Sequence, residues 1–255
     1  MHIHIINPNT TAAFTEADRL AGSAVAAPQT RVTASEPKEG VPSIESHFEE
    51  AVATLGVVEE VRRHEAEGVD AFVIACFGDT GLSAAREVAC VPVVGMTEAA
   101  LMAAAMVAQS FSIVTLPART RIHAHRVVAS LGLGLAGRCL PIRAVDVPVL
   151  YGEEEDEAVR RAIASQGREA IEKEGAEAIV LGCAGIGHLA APLSQELGVP
   201  VIDGVAVAVG MAETLVRNGL ATSKRSSFAA PPDKPLSPRY RFLADPADET
   251  NGHPQ

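Results

Sequence analysis

The chain has 255 residues, of which 47% are hydrophobic and only 4% aromatic, and its formal net charge is −11. The negative charge argues against nucleic acid and anionic membrane surfaces as partners. No apolar run approaches the ~18 residues that a membrane span needs. The four cysteines, with neither a secretory signal nor a C-x-x-C spacing, predict free thiols in a reducing cytoplasm.

Apolar runs alternate with helical segments along the chain, which predicts an α/β fold whose strands pair in parallel through right-handed crossovers. The predicted strands are His2–Ile6, Ala71–Ala75, Val91–Gly95, Phe111–Thr115, Arg138–Val145, Ala178–Gly182 and Val199–Ile202. The predicted helices are Ile44–Glu67, Leu82–Val88, Thr97–Val107, Arg119–Ser130, Glu153–Glu174, Leu189–Leu197 and Val205–Asn218.

One pattern occurs twice, in residues 67–78 and 174–185. Each copy begins with Glu-Gly, continues as a short apolar run, and ends in a cysteine followed two residues later by glycine. An internal repeat of this length predicts two similar lobes related by an approximate twofold axis. We expect residues 1–96 with 204–221 to form the first lobe and 97–203 the second. Residues 222–255 are rich in proline and lack an apolar period, which predicts a tail that is disordered or laid over a partner surface.

Cys76 and Cys183 end the two repeated strands. Ligands of parallel sheets bind beyond the carboxyl ends of the strands, so both thiols are expected in a cleft between the lobes. A lone cysteine at such a place is more often an inert core residue, but a matched pair favours function. Two facing thiols can remove a proton from one side of a carbon and return it to the other, which is the chemistry of a cofactor-free racemase.

The residues after each cysteine are small and precede a helix, which predicts backbone N–H groups near each sulfur that favour the thiolate. The N–H groups in question belong to Phe77, Gly78, Ala184 and Gly185, and they are also placed to stabilise an oxyanion. Asp79 and Thr80 suit the N-cap of the helix after Cys76, and we expect both in the substrate site. His123 and His125 form an H-x-H without an evident third ligand, so no metal site is predicted.

Four motifs resemble the hydantoin racemase branch of the aspartate/glutamate racemase superfamily over about residues 1–220. They are residues 6–10 (INPNT), 75–79 (ACFGD), 181–185 (LGCAG) and 200–204 (PVIDG). The resemblance implies two flavodoxin-like lobes, no cofactor, and proton transfer by Cys76 and Cys183 at C5 of a 5-monosubstituted hydantoin. It also implies substrate contacts near Asn9, Ser43, Phe77, Gly78, Thr115, Ala184 and Gly185.

Relatives that act on free amino acids carry polar side chains directly after each cysteine, whereas this chain has Phe77-Gly78 and Ala184-Gly185. A neutral ring substrate is therefore expected. Phe77 favours an alkyl or arylalkyl 5-substituent over a ureido group. Allantoin racemase is the alternative within the enzyme class, and a two-lobe small-molecule-binding protein is the alternative outside it. We also expect a homo-oligomer.

Overall fold

The computed structural model describes residues 1–243; residues 244–255, the end of the predicted tail, lie outside the described part. Two four-stranded parallel sheets organise the chain, with strand orders β2-β1-β3-β4 and β6-β5-β7-β8. The strands are β1 His2–Ile6, β2 Arg31–Ser35, β3 Ala71–Ile74, β4 Val93–Gly95, β5 Phe111–Thr115, β6 Arg143–Ala144, β7 Ala178–Leu181 and β8 Val201–Ile202. The predicted α/β class with two lobes is confirmed.

Helices cover both faces of each sheet. They are α1 Ala12–Val25, α2 His47–Glu65, α3 Leu82–Val88, α4 Met96–Val107, α5 Arg121–Leu131, α6 Asp156–Glu174, α7 Ala190–Leu197 and α8 Gly204–Arg217. We call the sheet β1–β4 with its helices the first lobe, and the sheet β5–β8 with its helices the second lobe. The last helix, α8, returns to the first lobe and packs on β3, β4 and α1.

The two sheets share one topology, and their central strands pair in the same way. Ile3 of β1 is opposite Ala71 of β3, and Phe111 of β5 is opposite Ala178 of β7. Strands β3, β5 and β7 are fully buried, which explains why β3 and β7 are continuously apolar instead of alternating. Because the topology repeats, the carboxyl ends of β3 and β7 are equivalent positions.

Two elements, α1 and β2, were not predicted from the sequence. Helix α1 buries only Thr15, Asp18 and Gly22, none of which belongs to a conventional apolar stripe. A Cβ atom on Gly22 would lie 2.8 Å from Ile5 Cδ1, so close packing on the sheet depends on the missing side chain. Strand β2 is an edge strand that is only half-buried. Strand β2 therefore lacks the apolar run that marks the other strands, whereas helix α1 is clearly amphipathic and was overlooked.

In helix α2 the local interactions at its start were predicted better than the face that it buries. The sequence predicts a capping box at its start, with Ser46 followed three residues later by Glu49, and an apolar stripe of Ile44, Phe48, Val52 and Leu55. The Ser46 half of the box is present, since Ser46 Oγ accepts from the Glu49 backbone N–H, while Glu49 Oε2 accepts from Ser46 Oγ and from the Glu45 N–H, both at 2.8 Å. The predicted stripe was wrong. Phe48 is 76% exposed, and the core face is formed by Val57 and Val61 instead.

The strand predicted at Arg138–Val145 is largely absent. Pairing with β5 is limited to Arg143–Ala144 and one isolated bridge between Phe111 and Cys139. Pro141 lies between these two points and has no N–H to donate, which interrupts the ladder.

The described part of the tail packs against its own chain. Lys224 Nζ donates to the carbonyl oxygens of Arg86, Glu87 and Ala89 at the end of α3. Thr222 Oγ1 donates to the Val91 carbonyl at 2.7 Å. The start of the tail is therefore held by the chain itself, and a partner surface for the tail stays a prediction. Among residues 1–243, no helix combines the length and apolarity that crossing a membrane requires.

Candidate active site

One cavity lies where the carboxyl ends of β3 and β7 meet, and both Cys76 and Cys183 line it. Its lining residues come from both lobes: Asn7, Asn9, Phe14, Asp18, Ile44, Ala75, Cys76, Phe77, Leu116, Thr120, Val149, Gly182, Cys183, Ala184 and Gly185. The part of the cavity that the centre of a water-sized sphere can reach is about 40 Å³.

Cys76 receives its hydrogen bond from a side chain. Thr80 Oγ1 donates to Cys76 Sγ at 3.3 Å, and Thr80 itself is buried. Burial raises the pKa of the Cys76 thiol to about 12, the Thr80 hydroxyl partly opposes this rise, and the nearby Cys183 adds to it. The predicted helix N-terminus is not at this sulfur, because α3 begins only at Leu82.

Cys183 lies next to backbone N–H groups. A 3-10 helix, Ala184–Leu189, begins directly after it, and no hydrogen bond to its side chain is formed. Burial raises the pKa of the Cys183 thiol to about 11, and the N–H groups of Gly185 and Ile186 oppose the rise. Of the N–H groups predicted to favour the thiolate here, that of Gly185 contributes, and desolvation outweighs it, so burial favours the protonated form of both thiols.

Asp79 caps a different helix from the predicted one. Its carboxylate accepts from the N–H groups of Thr97 and Glu98 at 2.8 and 3.0 Å, in the first turn of α4, whereas Gly81 occupies the N-cap of α3. Asp79 has a left-handed backbone with φ of 53°, which aspartate tolerates better than most residues. Neither Asp79 nor Thr80 is among the cavity-lining residues, so both support the Cys76 loop from behind.

Two backbone N–H groups remain available at the cavity. Among residues 1–243, no acceptor is found for the N–H of Phe77 or Ala184, the residues that directly follow the two cysteines. Of the other two predicted donors, the Gly78 N–H is occupied, because it donates to Thr97 Oγ1 at 2.8 Å, whereas the Gly185 N–H lowers the pKa of Cys183. Phe77 in the first lobe and Ala184 in the second thus each contribute an unpaired N–H donor.

Asn9 lines the cavity in a fixed orientation. Its Oδ1 accepts from the Thr11 N–H at 2.9 Å and from Asn7 Nδ2 at 3.1 Å. Asn7 is buried and is held in turn by Thr15. Because the oxygen of Asn9 is occupied, its Nδ2 group is the one left to donate to a ligand carbonyl.

Ser43 and Thr115 do not line the cavity. Thr115 Oγ1 donates to the Gly182 carbonyl at 2.8 Å and contacts Thr120 Oγ1 at 2.8 Å, so Thr115 holds β5 against β7 while Thr120 reaches the cavity. Ser43 Oγ donates to Glu45 Oε1. The same carboxylate oxygen accepts from the Val149 N–H at 3.3 Å, which links the loop before α2 to the loop before α6.

The comparisons with known proteins agree with this geometry. The family described as Asp/Glu/Hydantoin racemase matches residues 3–212. The chain belongs to this family. It is therefore an isomerase of the racemase class, and the alternative of a non-catalytic binding protein is set aside.

Relatives with assigned substrates fall into two groups. Hydantoin racemase from Pseudomonas sp. (strain NS671) is 45% identical over 92% of this chain and 93% of that protein. Allantoin racemase from Klebsiella pneumoniae is 47% identical over 95% of this chain and 98% of its own, with a TM-score of 0.92. Allantoin racemase from Pseudomonas fluorescens is 38% identical over 93% and 100%, with a TM-score of 0.89.

Several cavity residues were missed from the sequence. Phe14 and Asp18 come from the unpredicted helix α1, and Ile44 and Val149 come from loops. Thr120 lies shortly after the end of β5, so the rule that ligands meet strand carboxyl ends was the available signal for it. By the same rule Asn7, at the end of β1, was expected near the cleft, although only Asn9 was expected to contact the substrate.

His123 belongs to a histidine cluster outside this cavity. His47, Glu50 and His123 bring ligand atoms within 4.8 Å of one another, so a third potential ligand exists, although it is not His125. Glu50 is held through both oxygens by Arg126, whose positive charge competes with a cation there. Arg126 also donates to the Gly78 carbonyl at 3.2 Å, which ties this ion pair to the Cys76 loop.

Proposed function

We propose that this racemase interconverts the D and L enantiomers of 5-monosubstituted hydantoins by proton transfer at C5 between Cys76 and Cys183, without a cofactor. The observation that carries the proposal is the pair of thiols at equivalent strand ends of two lobes, both lining one cavity. The substrate ring would lie between the sulfurs, with one thiol on each face of C5.

The proton transfer needs one thiolate and one thiol. The thiolate takes the C5 proton and becomes a thiol, the electron pair moves into the adjacent ring carbonyl, and the opposite thiol then protonates C5 on the other face. The charge of one thiolate raises the pKa of the other thiol, so the pair loses its first proton at a lower pH than its second. The singly ionised pair, with one thiolate and one thiol, is the state that the reaction requires.

The oxyanion that forms on the ring would be held by neutral donors. The unpaired N–H groups of Phe77 and Ala184 and the free Nδ2 of Asn9 line the cavity. Preorganised donors of this kind stabilise a developing negative charge without rearrangement.

A neutral substrate fits the cavity better than an amino acid does. Of the described residues that line it, none is lysine, arginine or histidine, so an α-carboxylate would find no cationic partner. A charged group buried without a partner is strongly disfavoured. This supports hydantoins over free aspartate or glutamate.

Allantoin, the 5-ureido hydantoin, is the second candidate substrate. The two allantoin racemases that resemble this chain favour it, whereas the hydantoin racemase from Pseudomonas favours the broader class. The deciding experiment is polarimetry on one pure enantiomer of 5-isobutylhydantoin and of allantoin, with an enzyme-free blank. Decay of rotation to zero for at least one of them supports the proposal. Activity on glutamate with no activity on either hydantoin would reject it.

A further inference from the structure

Asp18 is a buried carboxyl that the two-thiol reaction does not use. It lies on α1, is 2% exposed, and lines the cavity. Within residues 1–243, no group donates a hydrogen bond to it, and its Oδ2 is completely enclosed and unpaired. An unpaired buried carboxyl oxygen is costly, and because Asp18 lines the substrate cavity, a ligand that displaces the residues enclosing Oδ2 can become its partner.

The surroundings of Asp18 favour the neutral acid. Burial raises its pKa well above the usual range, and the negative charge of Asp203 at the start of α8 raises it further. The Cys183 thiol is also near, because the charge of Asp18 contributes to raising the pKa of that thiol. A protonated carboxyl offers one O–H donor and one carbonyl acceptor side by side.

A urea or primary amide is the complementary group, because it presents a carbonyl oxygen and an N–H side by side. With one sulfur on each face of C5, the ring edge and the 5-substituent point toward the cavity wall. Asn9 and the N–H groups of Phe77 and Ala184 would donate to the ring carbonyls. The hydantoin ring also presents N–H groups beside its carbonyls, so a contact of Asp18 with the ring would affect all hydantoins equally, whereas a contact with the substituent would affect ureido and carbamoyl substrates alone.

We propose that Asp18 is a specificity-determining residue that selects hydantoins whose 5-substituent ends in a ureido or carbamoyl group. This inference rests on the proposed function. It reverses the preference for alkyl substituents that Phe77 alone suggests, because an alkyl group would leave the Asp18 carboxyl unpaired in a dry cavity.

The test uses two substrates of the same shape. The ureido group of allantoin and the isobutyl group of 5-isobutylhydantoin each have a branched arrangement of four heavy atoms, and they differ in polarity. The variants are Asp18→Leu, which keeps the side-chain shape and removes both oxygens, and Asp18→Asn, which keeps a donor and an acceptor. Glu16→Gln, on the exposed side of the same helix, is the control. Circular dichroism melts confirm that each variant is folded.

The wild type and Glu16→Gln are expected to prefer allantoin in kcat/KM. Asp18→Leu should lower kcat/KM for allantoin at least about tenfold, the size of one lost buried hydrogen bond, without lowering it for 5-isobutylhydantoin. Asp18→Asn should stay within about threefold of the wild type on allantoin.

Two results would overturn the assignment of Asp18: equal losses on both substrates in Asp18→Leu, or unchanged allantoin activity in that variant. If Asp18→Leu does not fold, equal losses of more than about threefold on both substrates in Asp18→Asn would overturn the assignment instead. Wild-type protein that racemises neither hydantoin would instead reject the proposed function itself, so the two failures are distinguishable.

Discussion

The two cysteine loops occupy equivalent positions of a repeated topology, yet they hold their sulfurs by different means. Cys76 depends on the hydroxyl of Thr80, whereas Cys183 depends on backbone N–H groups at the start of a 3-10 helix. The two lobes thus place their thiols at equivalent positions but surround them with different supporting groups. The first-lobe thiol can be adjusted by a single side-chain substitution, and the second is largely protected from one.

The loops also differ in what lies behind them. The Cys76 loop is anchored by Thr97 and by the carboxylate of Asp79 at the start of α4, and the helix that follows is capped by the tail through Lys224. The Cys183 loop packs on α1, where a Cβ atom on Gly185 would lie 3.0 Å from the Phe14 ring. Support in the second lobe therefore comes from close packing.

The largest expected effect comes from removing either thiol. Cys76→Ala and Cys183→Ala should each reduce racemisation roughly 10²–10⁴-fold, the usual contribution of a general acid or base, because one base cannot serve both faces of C5. Polarimetry measures the loss, and Cys90→Ala, which removes an exposed cysteine, is the control. An active Cys76→Ala or Cys183→Ala enzyme would show that the two loops are not functional equivalents.

The pH dependence of kcat/KM tests the raised thiol pKa that the two cysteine loops share. Burial raises both thiol pKa values, to about 12 and about 11, so the thiolate fraction is small at pH 7 and grows as the pH rises. With one thiolate needed, kcat/KM should increase by up to about tenfold per pH unit between pH 7 and 9, and it should fall once both thiols ionise. A rate that is constant or decreasing over this range would contradict the raised pKa values.

Thr80→Val should alter the support of Cys76 and leave that of Cys183 unchanged. The substitution removes the hydroxyl that stabilises the Cys76 thiolate and keeps the side-chain shape, so kcat/KM should fall about tenfold. Both directions must fall equally, because the equilibrium constant between enantiomers is one. The acid limb of the pH profile should move to higher pH, which a purely structural loss would not produce. Thr214→Val, at an exposed position of α8, is the control. A Thr80→Val enzyme with unchanged kcat/KM would show that Thr80 does not stabilise the Cys76 thiolate.

Truncation after Ala221 should have the smallest effect on activity. It removes the contacts of Lys224 and Thr222 with the first lobe and is expected to lower the free energy of unfolding by about 1–3 kcal/mol. The protein should still fold and keep kcat/KM within about threefold. Thermal melts and the racemisation assay measure the two quantities, with Lys224→Met as the single-site comparison. A truncated protein that does not fold would show that the tail is an integral part of the first lobe.

The sequence predicted the parts of the molecule that depend on repeated local patterns. The strands carrying Cys76 and Cys183 are continuously apolar and end in small residues, so they were placed from the sequence alone. The capping box of Ser46 and Glu49 was recognised for the same reason, since capping is a short-range interaction.

Features set by tertiary packing were not predictable in this way. A lone aspartate on an amphipathic surface helix, such as Asp18, is usually solvated, whereas the packing of α1 against β2, α8 and the loop after Cys183 encloses it. Asp79 was expected to cap the next helix in sequence, but the turn at Gly81 directs its carboxylate to α4 instead. The raised thiol pKa values likewise follow from burial in the assembled cavity.

The central claim is that each thiol serves one face of the substrate, and hydrogen exchange at C5 in D2O tests it most directly. Each pure enantiomer of 5-isobutylhydantoin is incubated with Cys76→Ala or Cys183→Ala, and proton NMR follows loss of the C5 proton against an enzyme-free blank. The account predicts complementary behaviour: each variant exchanges one enantiomer without racemising it, and the two variants act on opposite enantiomers. Exchange of the same enantiomer by both variants, or racemisation by either, would contradict the two-thiol mechanism.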